Sequence, residues 1–258
     1  MPILNIAGEP FHYRLDGPEN APVLMLSNSL GTDLGMWDQQ VEAWSKTYRV
    51  LRYDSRGHGR SVVSDGPYSI ARLGQDALAI MMELGVKKTH WCGLSKGGMV
   101  GQWLLTHAPE RIGRAVLANT ACVMGPPGLW NDRIRTVMSR GMGPVADALA
   151  DRWFTRKFQA AHPKTVAKFV ETMRAQNPKG YAGCCAAIRD MDQSETIRSV
   201  RNPVLVIAGS ADPATPPARA QAIAERIKGA KLVTLDAAHL SNVEQPQAFA
   251  RAVQDFLA

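Results

Sequence analysis

A serine between two glycines, followed much later by an aspartate and a histidine, has the residue types that nucleophilic catalysis requires. Residues 93–97 read GLSKG and match the pattern G-x-S-x-G, with Ser95 at the centre. This pattern places a serine on a sharp turn between a strand and a helix, where larger flanking residues would clash. The amide of Lys96 would begin the helix and face a developing oxyanion. The alternative is a serine that only caps a helix.

A nucleophilic serine needs a base and a group that orients the base. His239 is the last of six histidines and follows a late predicted strand. Asp212 follows another predicted strand, which gives the chain order serine, acid, histidine. Asp190 and Asp192 also lie between the serine and the histidine, but in a helical stretch where solvent exposure is expected. We therefore predict a triad of Ser95, Asp212 and His239.

Two loops that follow early predicted strands contain glycine and could bind a ligand. Residues 28–32 (NSLGT) are the expected source of a second oxyanion donor, the amide of Leu30. Residues 54–61 (DSRGHGRS) lack the third glycine of a dinucleotide-binding turn and favour a structural turn. The sequence contains no HExxH or CxxC spacing and no phosphate-binding loop, so we predict neither a metal nor a cofactor.

Strand and helix patterns alternate along the chain and must position these residues. Helical periodicity predicts helices at residues 70–84, 99–107, 218–227 and 246–257. Short apolar runs predict strands at residues 23–26, 50–53, 90–93, 115–118, 204–207 and 231–235. The alternation predicts an α/β fold with a mostly parallel sheet flanked by helices. Ligands bind such sheets at the carboxyl edge.

The alternation stops between residues 122 and 200, where amphipathic helices are separated by Gly, Pro and Asn. An insertion of this kind would form a small helical cap over the carboxyl edge. We therefore predict a core domain at residues 1–121 and 201–258 and a cap at residues 122–200.

Composition limits the classes of function and the cellular location. A length of 258 residues fits one large α/β domain. The formal charge is +7, but the basic residues form no run, so nucleic acid is a poorly supported partner and an anionic small molecule stays open. The four cysteines have no disulfide or zinc spacing and predict free thiols in a reducing cytoplasm. We expect no signal peptide and no membrane partner.

Over its full length the chain resembles the 3-oxoadipate enol-lactonase family of α/β-hydrolases. The resemblance is carried by residues 26–32, 36–38, 54–59, 180–190 (GYAGCCAAIRD), 212–217 and 236–246. It implies hydrolysis of 3-oxoadipate enol-lactone to 3-oxoadipate, a step in protocatechuate and catechol breakdown, without a cofactor. Ser95 would attack the lactone carbonyl and His239 would take the serine proton, while Asp212 fixes the imidazole tautomer. The amides of Leu30 and Lys96 would bind the oxyanion.

The implied substrate carries a free carboxylate, for which arginine is the usual partner. Arg133 and Arg189, both in the predicted cap, are candidates for this contact. Trp130 and Trp153 are candidates for the pocket wall, although packing within the cap is an equally good interpretation.

Lys96 departs from the family pattern, which typically has Met or Gln after the nucleophile. Its cation is expected to stabilise negative charge, to contact the substrate carboxylate, or to lower the basicity of His239 by repulsion. We expect it to alter rate or substrate range without replacing the triad.

Two other classes of function stay open at this point. A carboxylesterase, another lactonase or a cofactor-free perhydrolase would share the triad and differ in the cap. A catalytically silent binding protein on the same fold has no need of a complete triad.

Overall fold

The computed structural model describes residues 2–258 and contains one eight-stranded sheet. The strands lie in the order β1-β2-β4-β3-β5-β6-β7-β8. Strands β3 to β8 are parallel, and β2 joins β4 in antiparallel orientation, with β1 outside it. The bounds are β1 Ile3–Ile6, β2 Glu9–Asp16, β3 Val23–Ser27, β4 Arg49–Tyr53, β5 Thr89–Leu94, β6 Ile112–Ala118, β7 Val204–Gly209 and β8 Lys231–Leu235.

All six predicted strands are confirmed, and they correspond to β3 through β8. The first two strands were not predicted. Strand β2 contains a proline and several charged residues, and only Phe11 and His12 are buried within it. It pairs with the outermost strand β1 through its first half and with β4 only through its second half, and this position near the edge explains why it lacks the apolar run of the central strands.

The described residues contain twelve α-helices. The four predicted helices are confirmed as α2, α3, α10 and α12, although α3 begins three residues before the prediction, at Lys96. The bounds are α1 Asp38–Trp44, α2 Ile70–Glu83, α3 Lys96–His107, α4 Pro127–Arg140, α5 Gly143–Asp147, α6 Ala150–Trp153, α7 Arg156–Ala161, α8 Pro163–Arg174, α9 Pro178–Arg189, α10 Pro217–Arg226, α11 Ser241–Glu244 and α12 Pro246–Leu257.

The segment between β6 and β7 contains α4 to α9, a short 3₁₀ turn at Thr196–Ser199 and a single bridge between Val123 and Asp192. The helical content agrees with the expected insertion. The domain limits at residues 122 and 200 stay a prediction.

Burial is complete in β7, which pairs with β6 on one side and β8 on the other, and every residue of this strand is buried. Helix α3 packs against β5 and β6, and this contact fixes the start of α3 at the carboxyl edge of β5. All four cysteines are free and buried. Within residues 2–258, none of the helices combines the length and the apolar character needed to cross a bilayer.

Candidate active site

Ser95 forms the turn between β5 and α3 and has a strained backbone, with φ 58° and ψ −114°. A non-glycine residue in this region costs of the order of 1–3 kcal/mol, so neighbouring contacts must hold it there. The Ser95 amide donates to the carbonyl of Ala118 at 2.8 Å, and Thr120 Oγ1 donates to the Ser95 carbonyl at 2.8 Å. The turn is therefore fixed from the neighbouring strand β6.

The flanking glycines are required by close backbone contacts. A Cβ on Gly93 would lie 2.1 Å from the carbonyl oxygen of Gly97, and a Cβ on Gly97 would lie 2.1 Å from the carbonyl oxygen of Ser27. No side chain fits at either distance, which explains the G-x-S-x-G spacing.

Asp212 and His239 form the acid–base pair, and both are 3% exposed. The Asp212 carboxylate lies after β7 and His239 after β8, so both residues lie at the carboxyl edge of the sheet with Ser95. Asp212 Oδ2 lies 2.8 Å from His239 Nδ1. This contact holds the imidazole with Nδ1 toward the carboxylate and leaves Nε2 to accept a proton.

The Asp212 carboxylate accepts four further hydrogen bonds. The amides of Ala214 and Thr215 donate to Oδ1 at 2.8 and 2.9 Å, and Thr215 Oγ1 and Asn119 Nδ2 donate to Oδ2 at 2.7 and 3.0 Å. Burial alone raises the pKa of Asp212, but the charge and hydrogen bond of His239, with the Thr215 amide and Asn119, outweigh burial and lower the pKa to about 2. Asp212 is therefore ionised at neutral pH.

Sequence reasoning missed Asn119, which follows β6 in the left-handed region at φ 44°. Its Oδ1 accepts a hydrogen bond from Ser241 Oγ at 2.5 Å, and its Nδ2 also donates to the carbonyl of Ala238 at 3.2 Å. A single asparagine after a strand gives no motif, but asparagine tolerates positive φ better than most residues.

Ser95 and His239 line the same cavity beneath the helices α4 to α9. No hydrogen bond joins them in this structure. Catalytic hydrogen bonds are often long before substrate binds, and they tighten in the complex. The structure therefore brings the three predicted triad residues to one site.

The loop at residues 28–32 lies beside the Ser95 turn and is anchored at Asn28. The Asn28 side chain donates to the carbonyl of Tyr53 at 2.8 Å and accepts from Trp37 Nε1 at 3.0 Å. The Asn28 carbonyl accepts from the Gly97 amide at 3.1 Å, which ties the loop to the start of α3.

The two predicted oxyanion donors are both available to a ligand. Within residues 2–258, the Leu30 amide has no hydrogen-bond acceptor. The Lys96 amide lies at the first residue of α3, where a helix leaves its N–H groups without partners. Leu30 and Ser95 both line the cavity.

The Lys96 side chain does not lie where it was expected. It is 1% exposed, it is absent from the cavity wall, and Nζ donates to Ser55 Oγ. The expected contact between its cation and the substrate carboxylate is therefore wrong. Burial lowers the pKa of Lys96, and the nearby groups of Cys184 and Asp54 oppose this effect.

Three of the predicted substrate contacts lie on the cavity wall, beside an arginine that was not predicted. Trp130, Arg133 and Trp153 line the cavity, and the Arg133 guanidinium lies 5.1 Å from the centre of the Trp130 ring. Arg152, in the short helix α6, also lines the cavity. Desolvation and then the positive charge of Arg133 lower the pKa of Arg152, so the two cations face a common space.

Neither cavity arginine has a counter-ion in the described part of the chain. Other arginines of the same segment are paired, such as Arg135 with Asp132 and Arg174 with Asp147. Tyr181, which also lines the cavity, has its pKa raised by burial and keeps its hydroxyl proton. The cavity thus presents two cations and a neutral hydroxyl near the nucleophile.

Arg189 is a correction to the predicted set. It forms an ion pair with Asp190 at 2.7 Å and a hydrogen bond with Asn131 at 2.7 Å. It lines a separate surface groove with Met138 and Lys179. The arginine next to the acid in sequence therefore binds that acid, and the structure does not bring it to Ser95.

Comparison with known proteins agrees with the fold. The α/β hydrolase fold family matches residues 22–246, and the chain belongs to this class of protein. It is 42% identical over 94% of its length to 3-oxoadipate enol-lactonase 2 of Acinetobacter baylyi, covering 91% of that protein. By this similarity the chain belongs to the 3-oxoadipate enol-lactonase family.

Two solved structures have nearly the same backbone. The enol-lactonase from Burkholderia xenovorans is 43% identical, with a TM-score of 0.97 and 99% of each chain covered. A hydrolase from Pseudomonas aeruginosa is 46% identical, with a TM-score of 0.97, 100% of this chain covered and 98% of that chain.

Proposed function

We propose that this protein hydrolyses 3-oxoadipate enol-lactone to 3-oxoadipate, with Ser95 as nucleophile, His239 as general base and acid, and Asp212 as the group that orients His239. The observation that carries the proposal is the cavity itself. It joins Ser95 and His239 to two arginines without counter-ions, as an anionic ester substrate requires. The relatives named as enol-lactonases support the particular lactone.

The first half of the reaction forms an acyl-enzyme. Ser95 Oγ attacks the lactone carbonyl while His239 Nε2 takes the hydroxyl proton, and the carbonyl oxygen becomes an oxyanion bound by the Leu30 and Lys96 amides. Collapse of the intermediate breaks the ring C–O bond. The oxygen that leaves is an enolate, which accepts the proton from His239 and then converts to the ketone.

The second half consumes one water molecule. His239 removes a proton from water, and the resulting hydroxide attacks the acyl carbonyl at the same oxyanion site. Breakage of the bond to Ser95 Oγ returns the proton to the serine and releases the second carboxylate of 3-oxoadipate. The lowered pKa of Asp212 keeps this residue anionic, and the anion stabilises the imidazolium that forms in both halves.

Arg133 and Arg152 are proposed to bind the free carboxylate of the substrate. Two guanidinium groups facing one cavity repel each other, and an entering carboxylate relieves this repulsion while forming charged hydrogen bonds. Such hydrogen bonds contribute about 1.5–3 kcal/mol each. Trp130 supports one face of Arg133 and limits its freedom to turn away.

The substitutions Arg133→Gln and Arg152→Gln test this assignment. Each is expected to raise KM for the enol-lactone by about 10-fold to 100-fold, the equivalent of one charged hydrogen bond. Hydrolysis of the neutral ester p-nitrophenyl acetate should change little, because it has no carboxylate to bind. Arg135→Gln is the matched control, since Arg135 lies on the same helix as Arg133 but is exposed and paired with Asp132.

Three outcomes separate the parts of the proposal. Equal losses on both esters would show that the arginines support the fold of the cavity and do not recognise the carboxylate. Enol-lactone turnover by Ser95→Ala at the wild-type rate would overturn the mechanism. A wild-type protein that hydrolyses neutral esters but not the enol-lactone would be a carboxylesterase on this scaffold.

We further propose that the protein works in the cytoplasm, because all four of its cysteines are free thiols. Retention of four titratable thiols in protein isolated without reductant, after denaturation in the presence of a thiol reagent, is the expected result. A disulfide in that sample would contradict the location.

A further inference from the structure

His58 lies in the loop at residues 54–61 and takes no part in the steps described above. It is buried and does not line the cavity that contains Ser95 and His239, so it does not contact the substrate. Its Nε2 accepts a hydrogen bond from the amide of Gly31 at 2.8 Å. Gly31 follows Leu30, the proposed oxyanion donor, and has φ 86°. A buried histidine therefore holds the peptide next to the oxyanion hole.

Hydrogen bonds hold the Leu30 backbone from both sides. The Ser29 carbonyl, which belongs to the same peptide plane as the Leu30 amide, accepts from Thr32 Oγ1 at 2.9 Å and from the Thr32 amide at 3.3 Å. The following peptide plane contains the Gly31 amide, which His58 holds. Thr32 thus orients the donor plane, and His58 orients the plane after it.

The contacts of His58 define one protonation state. The Gly31 amide can donate only to an unprotonated Nε2, so the ring hydrogen must be on Nδ1. Nδ1 lies 3.3 Å from the carbonyl oxygen of Arg56, to which that hydrogen is donated. A proton on Nε2 would place two N–H groups against each other and release the loop.

We propose that His58 is a positioning residue of the oxyanion hole, and that the buried Lys96 ammonium keeps it in the neutral form that holds Gly31. The proposal rests on the proposed function, because it assigns the reason that Leu30 points into the cavity. It also gives the Lys96 side chain a place in the site without any contact to the substrate.

The groups that face His58 include one buried cation, Lys96. From α9, the neutral thiol of Cys184 has its Sγ 3.8 Å from Nδ1, and the Tyr181 ring lies 6.4 Å from the imidazole. From α3 comes Lys96, which donates to the hydroxyl of Ser55, and the carbonyl of the same Ser55 accepts from the His58 amide at 2.9 Å. Burial and then the Lys96 charge lower the pKa of His58 well below its ordinary value.

Asp54 and Arg56 are the buried charged residues of the loop that holds His58. Arg56 pairs with both Asp76, at 2.8 Å, and Glu9. The Asp54 carboxylate lies 2.7 Å from His12 Nδ1 and accepts the amides of two other residues. Lys96 remains the charged side chain that lowers the pKa of His58.

The first test compares two substitutions of nearly equal size. His58→Leu removes the acceptor, whereas His58→Gln can place Oε1 where Nε2 lies. Complete loss of one oxyanion donor costs about 100-fold to 1,000-fold in kcat, so a displaced donor should cost about 10-fold to 100-fold. We expect that loss in kcat for His58→Leu with KM nearly unchanged, and recovery of most of it in His58→Gln. His107→Gln, at the exposed end of α3, is the matched histidine control.

A purely structural role for His58 gives a different result. In that case His58→Leu would lower the melting temperature while its folded fraction kept the wild-type kcat, and this outcome overturns the proposal. The failure of the proposed function is distinguishable, because it would leave Ser95→Ala active. An inactive Ser95→Ala together with a fully active His58→Leu contradicts only the positioning role.

The second test reads the protonation of His58 directly. With ¹⁵N-labelled histidine, the wild-type ring should keep the signals of a neutral Nδ1–H tautomer well below pH 6.5, the ordinary pKa of histidine. In Lys96→Met the ring should accept a proton at a higher pH than in the wild type. Lys96→Gln, which retains a donor for Ser55, serves as a second variant. Identical His58 titrations in wild type and both variants would show that Lys96 has no such effect.

Discussion

Replacing Asp212 by asparagine should inactivate the enzyme by changing the tautomer of His239. The two carboxylate oxygens are not equivalent, because Oδ1 accepts two backbone amides that cannot turn away. Oδ2 faces Thr215 Oγ1 and His239 Nδ1, which can accept as well as donate, and Asn119 Nδ2, which can only donate. Oδ1 thus faces two fixed donors and Oδ2 faces one, so we expect the NH₂ of the new asparagine to occupy the Oδ2 position.

His239 must then accept a hydrogen bond at Nδ1 and carry its own hydrogen on Nε2. In that tautomer Nε2 has no lone pair to accept the proton of Ser95. The corresponding change in a Ser-His-Asp triad lowers kcat by about 10⁴-fold, which is about 5.5 kcal/mol of activation free energy. We expect a loss of this size for Asp212→Asn, with KM nearly unchanged because Asp212 does not line the cavity.

The assay is steady-state hydrolysis of the enol-lactone at pH 7, with the rate of Ser95 labelling by a fluorophosphonate as a second measure. Asp190→Asn is the matched control, since Asp190 also lies between the nucleophile and the base in sequence but is exposed and bound to Arg189. A kcat for Asp212→Asn within tenfold of wild type would refute the assignment. So would an equal loss in Asp190→Asn.

Three further outcomes follow from single contacts. Asn119→Ala should cost about 1.5–3 kcal/mol of unfolding free energy, because it removes a donor to the buried Asp212 carboxylate; urea unfolding at pH 7 measures this. Gly97→Ala should give no active folded enzyme, since its Cβ would lie 2.1 Å from a carbonyl oxygen, whereas Gly128→Ala, with open space, should match wild type by melting temperature and activity. The folded-state pKa of His58 lies below 6.5, so the unfolded chain binds more protons as the pH falls below that value. Wild type should then lose up to about 1.4 kcal/mol per pH unit that His58→Gln keeps, and equal urea midpoints from pH 7 to 5 would contradict this.

The fold was predictable where burial leaves a simple pattern in the sequence. Strand β7 is buried along its whole length and gives an apolar run, so both its type and its position were predicted. Strand β2 lies next to the outermost strand, is mostly half-buried and contains Pro10, so its sequence resembles a loop. Register and strand order depend on contacts between distant segments, which no local pattern records.

The site was predictable to the extent that chemistry restricts residue type. Ser95 lies in a recognisable motif because its turn excludes side chains at Gly93 and Gly97, so the sequence must have glycine at both positions. Arg152 has no such signal, because the cavity requires only that a cation reach it from some helix. Arg189 is the opposite case, because it was predicted to contact the substrate from its residue type and its place in the cap. In the structure it pairs with the adjacent Asp190 and does not line the cavity.

Lys96 combines two separable contributions at one position. Its amide lies at the first residue of α3 and remains available to an oxyanion whatever the side chain, because helix geometry leaves it without a partner. Its side chain donates to Ser55 and is absent from the cavity wall, and its charge lowers the pKa of His58. A substitution at residue 96 therefore changes the protonation of His58 without removing an oxyanion donor. For that reason the effect of Lys96→Met should grow as the pH falls, whereas a lost donor would lower the rate equally at every pH.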